Sequence, residues 1–216
     1  MDKRFVYEDR QDAGRRLAAF LKHYRGTNAL LLAVPSGGVP VAAEAARILL
    51  LPLDLLIARK LQISFNPEAG FGAMSLGGDI LLNDELVESL GLGKEEIKAA
   101  VSATRKVLDQ RNSLFRKGRP LPPCQGKKVI IIDDGLASGY TMRVAAQWVR
   151  GMKPERVIAA VPTGSARTVE VMREEVDEIV CLNIRSGYRF AVAEAYRYWH
   201  DIGDDEVLRI INSVLG

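Results

Sequence analysis

A chain of 216 residues, 48% hydrophobic and 26% charged, holds enough apolar material for one sizeable core and shows no compositional sign of disorder. Its net charge of +3 is too small to mark a nucleic-acid binder, and two cysteines without metal-ligand spacing suit a reducing compartment rather than a disulfide scaffold. The opening MDKRFVYEDR lacks the apolar core of a secretory signal, and the greasy run 48–58 is broken by Pro52 and Asp54 and is too short to cross a bilayer, so a cytoplasmic protein is expected.

In chain order, residues 8–25 read as a helix with Ala13, Leu17, Phe20 and Leu21 on one face, Asp9 or Asp12 as its cap and Gly26 at its end. Its charged flank, Arg10, Arg15 and Arg16, is expected to face solvent. Ala29 to Val34 forms a short apolar strand that stops at PSGGVP, and a small-residue helix starts at Val39. Leu53 to Ala58 reads as another strand, with the paired cations Arg59 and Lys60 at its C-terminal end, facing solvent or a polyphosphate. Residues 61–93 contain neither Lys nor Arg, while glycines cluster at 70, 72, 77 and 78. This stretch reads as a loop followed by a hairpin, Phe71–Ser75 and Ile80–Leu82 around Gly77-Gly78, and a long Gly-rich insertion of this kind suits a lid over a site. Helices are expected over 84–90 and 94–118. Between Lys94 and Arg119 eight basic residues oppose three acidic ones, which the simplest reading makes a solvated helix face.

The densest signal is KKVIIIDDGLASGYT, residues 127–141. Val129–Ile132 is a β-branched run typical of a strand buried on both faces. Asp133 and Asp134 follow at the strand end, where two adjacent carboxylates must meet something positive or hydroxylated. Gly135, Ala137, Ser138, Gly139 and Thr141 are small or hydroxylated, and from Thr141 the apolar spacing becomes helical. A strand, an acidic pair, a small-residue loop and a helix N-terminus together make a phosphate cradle. It is neither a Walker loop nor a dinucleotide fingerprint. A strand over 155–161, a connection AVPTGSA, a helix over 168–175, a strand over 176–182 and an aromatic tail with Tyr188, Phe190, Tyr196, Tyr198 and Trp199 complete the chain. His23 and His200 stand alone and read as structural.

The central stretch, aligned as VIII-DD-GLA-SGYT, resembles the phosphoribosyl-pyrophosphate (PRPP) motif of type I phosphoribosyltransferases, and PSGGVP resembles the pyrophosphate loop that precedes it in those enzymes. The resemblance is closest to a group of predicted phosphoribosyltransferases without an assigned acceptor. It implies an α/β fold: one domain over 1–216, with a parallel sheet flanked by helices as its core (26–183), a lid at 61–82, and a small hood from 1–10 and 184–216. It implies transfer of ribose 5-phosphate from PRPP to a nitrogen acceptor such as a nucleobase, with Mg²⁺ and release of pyrophosphate. The residues implied are Asp133 and Asp134 as catalytic groups that also hold the metal through water, and Ala137, Ser138, Gly139, Tyr140 and Thr141 for the 5′-phosphate. Ser36, Gly37, Gly38, Arg59 and Lys60 are implied for pyrophosphate. Many relatives place a basic residue near position 36, and here it is a neutral hydroxyl. Ala137 stands where hypoxanthine-type members carry an aspartate, and the lid lacks the basic residues of orotate-type members. Both departures leave adenine, uracil or xanthine-like acceptors open. A homodimer is expected from the resemblance, and nucleic acid is disfavoured as a partner. A PRPP- or nucleotide-sensing regulator of the same fold, and a generic phosphosugar-binding protein, are the rival readings.

Overall fold

The computed structural model describes residues 5–63, 66–187 and 190–215. Residues 1–4 of the expected hood, Ser64 and Phe65 of the expected lid, Tyr188 of the aromatic tail, its neighbour Arg189, and Gly216 lie outside the described residues.

Five parallel strands build the main sheet: β1 (Leu30–Ala33), β2 (Leu53–Leu55), β6 (Lys128–Ile132), β7 (Arg156–Ser165) and β8 (Glu178–Arg185), in the order β2-β1-β6-β7-β8. Side chains alternate across it. Leu31, Ala33, Ile130 and Ile132 pack on one face with α1 (Arg10–Phe20), α2 (Gly38–Leu49) and α7 (Asp204–Leu215). Leu30, Leu32, Val129 and Ile131 pack on the other with α5 (Tyr140–Gly151) and α6 (Ala166–Glu175). Both faces are covered, which is why these strands read as unbroken apolar runs. The N-cap of α1 is Asp9, whose Oδ1 accepts the Asp12 N–H at 2.7 Å.

Register places the site. Ala33 pairs with Ile132, and Ile132 with Ala160, so β1 and β6 end side by side. The loop after β1 and the acidic pair after β6 therefore emerge at the same sheet edge, where open parallel sheets carry their sites. Gly38 packs against that edge: a Cβ there would lie 2.6 Å from the Ile132 carbonyl oxygen.

Four elements differ from the sequence reading. The strand expected over 53–58 divides: Leu56 N still donates to the Ala33 carbonyl, but Ile57 already accepts from Leu76 N in a neighbouring sheet. That second sheet is antiparallel, β3 (Ala58–Ile63), β4 (Asn66–Ser75) and β5 (Ile80–Leu82). The hairpin β4–β5 stands where the sequence places it. The loop expected before it is strand, and Leu61, Phe71, Ala73 and Met74 are all buried, so these parts of 61–82 are packed into the body of the protein. Next, β7 runs on past Val161 through the expected connection. Pro162 breaks the pairing at one position, since it has no N–H, and Thr163–Ser165 pair again with β8. Finally, α7 belongs to the core, with Val207 and Ile211 packed under α2. Of the segments expected to form a hood, residues near Tyr7, Ala195 and Tyr196 form a small cluster of their own.

The basic stretch folds as α4 (Lys94–Arg111) and a π-turn, Asn112–Arg116, after a short α3 (Asp84–Ser89). It is not the uniformly solvated face the sequence suggests. Arg116 is buried, bonded to the Asp54 carboxylate and to the Leu55 and Pro120 carbonyls, and Arg105 donates to the Leu76 carbonyl at 2.8 Å.

Candidate active site

The strand ends open into a cleft of about 400 Å³. Ser36, Arg59, Lys60, Asp133 and Thr141 line it, which unites five of the sequence-predicted residues from four separate elements. Arg59 and Lys60 do so from within β3, not from a strand end. Arg111 and Asp201 complete the wall and were not legible as site residues. A smaller adjoining cavity of about 150 Å³ is formed by Ala137, Ser138, Gly139 and Thr141 together with Lys60 and both aspartates. Gly37 and Gly38 line neither cavity. They sit beneath the acidic pair, where a Cβ on Gly37 would collide with the Asp134 carboxylate and one on Gly38 would lie 2.9 Å from the Asp133 Cα. Tyr140, half-buried, carries the Arg143 guanidinium over its ring instead of lining either cavity.

The loop that the sequence reads as a phosphate cradle leads into α5. α5 begins at Tyr140 with Gly139 as its cap and no side-chain hydrogen bond, which leaves first-turn amides open toward the smaller cavity. Gly139 is required here by geometry. Its φ of +82° is left-handed, and a Cβ would run into Thr168 Cγ2. Thr168 is anchored there, donating through Oγ1 to the Ala137 carbonyl. Gly139→Ala should therefore cost about 1–3 kcal/mol of stability. In a Thr168→Ser background, which removes the methyl and keeps the hydroxyl, urea titration should show a smaller cost. An equal cost in both backgrounds would rule out the contact as the cause.

The two aspartates are not equivalent. Asp134 is tied down: Arg10 Nε lies 2.9 Å from its Oδ2, and the Tyr196 hydroxyl donates to its carbonyl. Arg10 is itself buried, only 6% exposed along its side chain, donates to the His200 carbonyl at 2.9 Å and lies 3.7 Å from the Trp199 ring centroid. The expectation that Arg10 faces solvent is thus corrected: it is the counter-ion of the acidic pair. Asp133 has no such partner among the described residues. It faces both cavities and accepts the Asp134 N–H at 2.8 Å. Burial, and then the Asp134 charge, push its carboxyl well above the usual range, against the pull of Arg10 and Lys60. Asp134 is raised too, by burial, with Arg10 the main opposing influence.

Oxygen donors at Asp133 suit a hard divalent cation, and such an ion would relieve the repulsion between the carboxylates. Among the described residues no cluster of three or more His, Cys, Asp or Glu could cage a metal. An ion here would be held by Asp133 through water and mainly by oxygens of a bound substrate.

The family described as a phosphoribosyl transferase domain matches residues 7–199. Relatives from two strains of Mycobacterium tuberculosis, CDC 1551/Oshkosh and H37Rv, provisionally named phosphoribosyl transferase, are 38% identical over 207 residues, covering 96% of this chain and 46% of their own length. The chain thus spans about half the length of the curated relatives it matches. The crystal structure of a protein from Thermus thermophilus superposes with a TM-score of 0.78 at 31% identity, over 98% of this chain and 100% of that one.

Proposed function

The chain belongs to the phosphoribosyl transferase domain family, a pentosyltransferase family, and on that premise we propose that it transfers ribose 5-phosphate from PRPP to a nitrogen acceptor, with Mg²⁺ and release of pyrophosphate. The observation that carries this reading is one juxtaposition. A desolvated carboxylate, Asp133, lines both a cavity at an uncapped helix N-terminus and a cleft walled by Arg59 and Arg111, with Lys60 reaching both. PRPP has the matching layout: a monophosphate at one end, a pyrophosphate at the other and a sugar between them.

In this reading the amides of Ser138, Gly139, Tyr140 and Thr141 hold the 5′-phosphate, and the Ser36 loop with Arg59 and Lys60 holds the pyrophosphate. Breaking the bond from the anomeric carbon to pyrophosphate builds positive charge on the ribose ring. Asp133 lies where its field favours that charge over the neutral ground state, without acting as a nucleophile. Asp134, neutralised by Arg10, orients Asp133 through its backbone N–H and adds less field of its own. Magnesium, when bound, supplies charge neutralisation to the departing pyrophosphate. The acceptor is a nucleobase or a comparable nitrogen compound, and Ala137 provides no carboxylate to act on it.

The regulatory reading drew its support from the basic stretch 94–119. That stretch turns Arg105 and Arg116 inward and Arg111 into the cleft. This leaves five exposed cations, Lys94, Lys98, Lys106, Lys117 and Arg119, against the exposed carboxylates of Glu95, Glu96 and Asp109, a weaker polyanion surface than the sequence excess suggests. The test is a PRPP- and Mg²⁺-dependent screen of nucleobases with mass spectrometry of the products. A nucleoside monophosphate formed from one base is expected. PRPP that binds with no product and no pyrophosphate release across the panel would favour the sensor instead.

A further inference from the structure

The loop Pro35–Pro40 has no charged side chain, so a pyrophosphate resting on its amides would meet no cation from the loop itself. Arg111, the last residue of α4, approaches it from outside. Its Nη2 lies 3.5 Å from Ser36 Oγ and 3.2 Å from Asp204 Oδ1. The guanidinium lines the large cleft beside Arg59 and Lys60, so three cations from two elements face one space whose carboxylates, among the described residues, are Asp133 and Asp201. Two of them press on each other: Arg59 is shifted below the usual arginine range by burial and then by the Arg111 charge. Like charges gathered in a partly buried wall are costly unless an anion joins them.

The position of Arg111 is built rather than incidental. The π-turn Asn112–Arg116 follows it directly, and Arg116 clamps that turn to β2 through Asp54 and the Leu55 carbonyl. π-Turns are rare and occur frequently at functional sites. Asp204, its present partner, is 42% exposed against 20% for Arg111, so the carboxylate can return to water at little cost while the guanidinium stays.

We propose that Arg111 supplies, from α4, the positive charge that the pyrophosphate loop lacks at Ser36, and that it exchanges Asp204 for the pyrophosphate group when substrate binds. This inference rests on the phosphoribosyl reading above. It makes position 111 a binding residue and Asp204 a placeholder for the anion.

The experiment is calorimetric titration of inorganic pyrophosphate with Mg²⁺, and separately of a nucleoside monophosphate, into the full chain. Arg111→Gln should weaken pyrophosphate about tenfold or more, the size of a lost charge-assisted contact, and leave the monophosphate within about twofold. Ser36→Arg or Arg111→Lys should restore part of the loss, because each returns a cation to the same wall. Asp204→Asn, which removes only the competitor, should bind pyrophosphate more tightly than the parent. Unchanged pyrophosphate affinity in Arg111→Gln, equal loss of both ligands, no recovery by either cation, or weaker binding in Asp204→Asn would each overturn the assignment. A parent that binds both ligands while Arg111→Gln is unaffected sinks this inference alone. A parent that binds neither sinks the phosphoribosyl reading with it.

Discussion

Replacing Asp133 by Asn should lower kcat by about tenfold or more, since one lost charge interaction of about 1.4 kcal/mol gives that factor. The fold should be unharmed or slightly stabilised. The Asn oxygen still accepts the Asp134 N–H, and the variant removes a desolvated negative charge that sits beside another. Activity and stability therefore move in opposite directions. Affinity for a nucleoside monophosphate should fall much less than turnover, because the 5′-phosphate rests on the amides of residues 138–141. Asp133→Asn with parental kcat would remove this carboxylate from the mechanism. The same residue sets the acid limb of the pH profile. Its carboxyl is raised above the ordinary value near 4, so the limb of the free enzyme should lie above that value and move down when Mg²⁺ binds.

Arg10→Met should have the largest effect on stability, about 3–5 kcal/mol, because it strands Asp134 as a buried charge beside Asp133. In a domain of this size that is roughly a 6–20 °C drop in melting temperature. The direction with pH is specific. A carboxyl whose folded pKa is raised takes up a proton on folding, so its penalty is full above the folded pKa and shrinks as pH falls toward the unfolded value near 4. The pair imposes this in the parent, and Arg10→Met should enlarge it, so the variant's deficit narrows on acidification. Combining Arg10→Met with Asp134→Asn should recover much of the loss, because Asp134 then carries no charge to strand and Asp133 loses its like-charged neighbour. A single variant within about 1 kcal/mol of the parent by urea titration would show that the pair contributes little.

What was legible in the sequence is what is contiguous in it. Asp133, Asp134 and the loop to Thr141 lie within nine residues, and a strand followed by a helix fixes how they are presented. The PSGG loop is read the same way. Residues that reach the site from a distance were not. Arg111 sits in the last turn of α4, where a cation already suits the helix dipole, so nothing local marks it. The only hint was at Ser36, where a cation was missing. Arg10 did leave a signal that amphipathic reading passes over. It is the first residue of α1, the end where a positive charge is disfavoured, so a carboxylate from elsewhere was required to hold it there. The division of residues 53–63 between two sheets was hidden for a similar reason: the apolar run is continuous, and only the exchange of partners at Ile57 interrupts it.

Arg10 spans 124 positions to Asp134 and 190 to the His200 carbonyl, and Tyr7 is paired with Tyr196. The charge balance of the acidic pair is thus completed by segments lying before the first strand and after the last. Such distant closures carry a high entropic cost, because the freedom of long loops must be overcome before the contacts offset it. A chain caught short of that step would have its sheet and its phosphate loop, yet its aspartates would stand open to water and mutually repelled. Competence for chemistry thus depends on the docking of the two flanking segments, and a chain lacking either contact would not consume substrate efficiently.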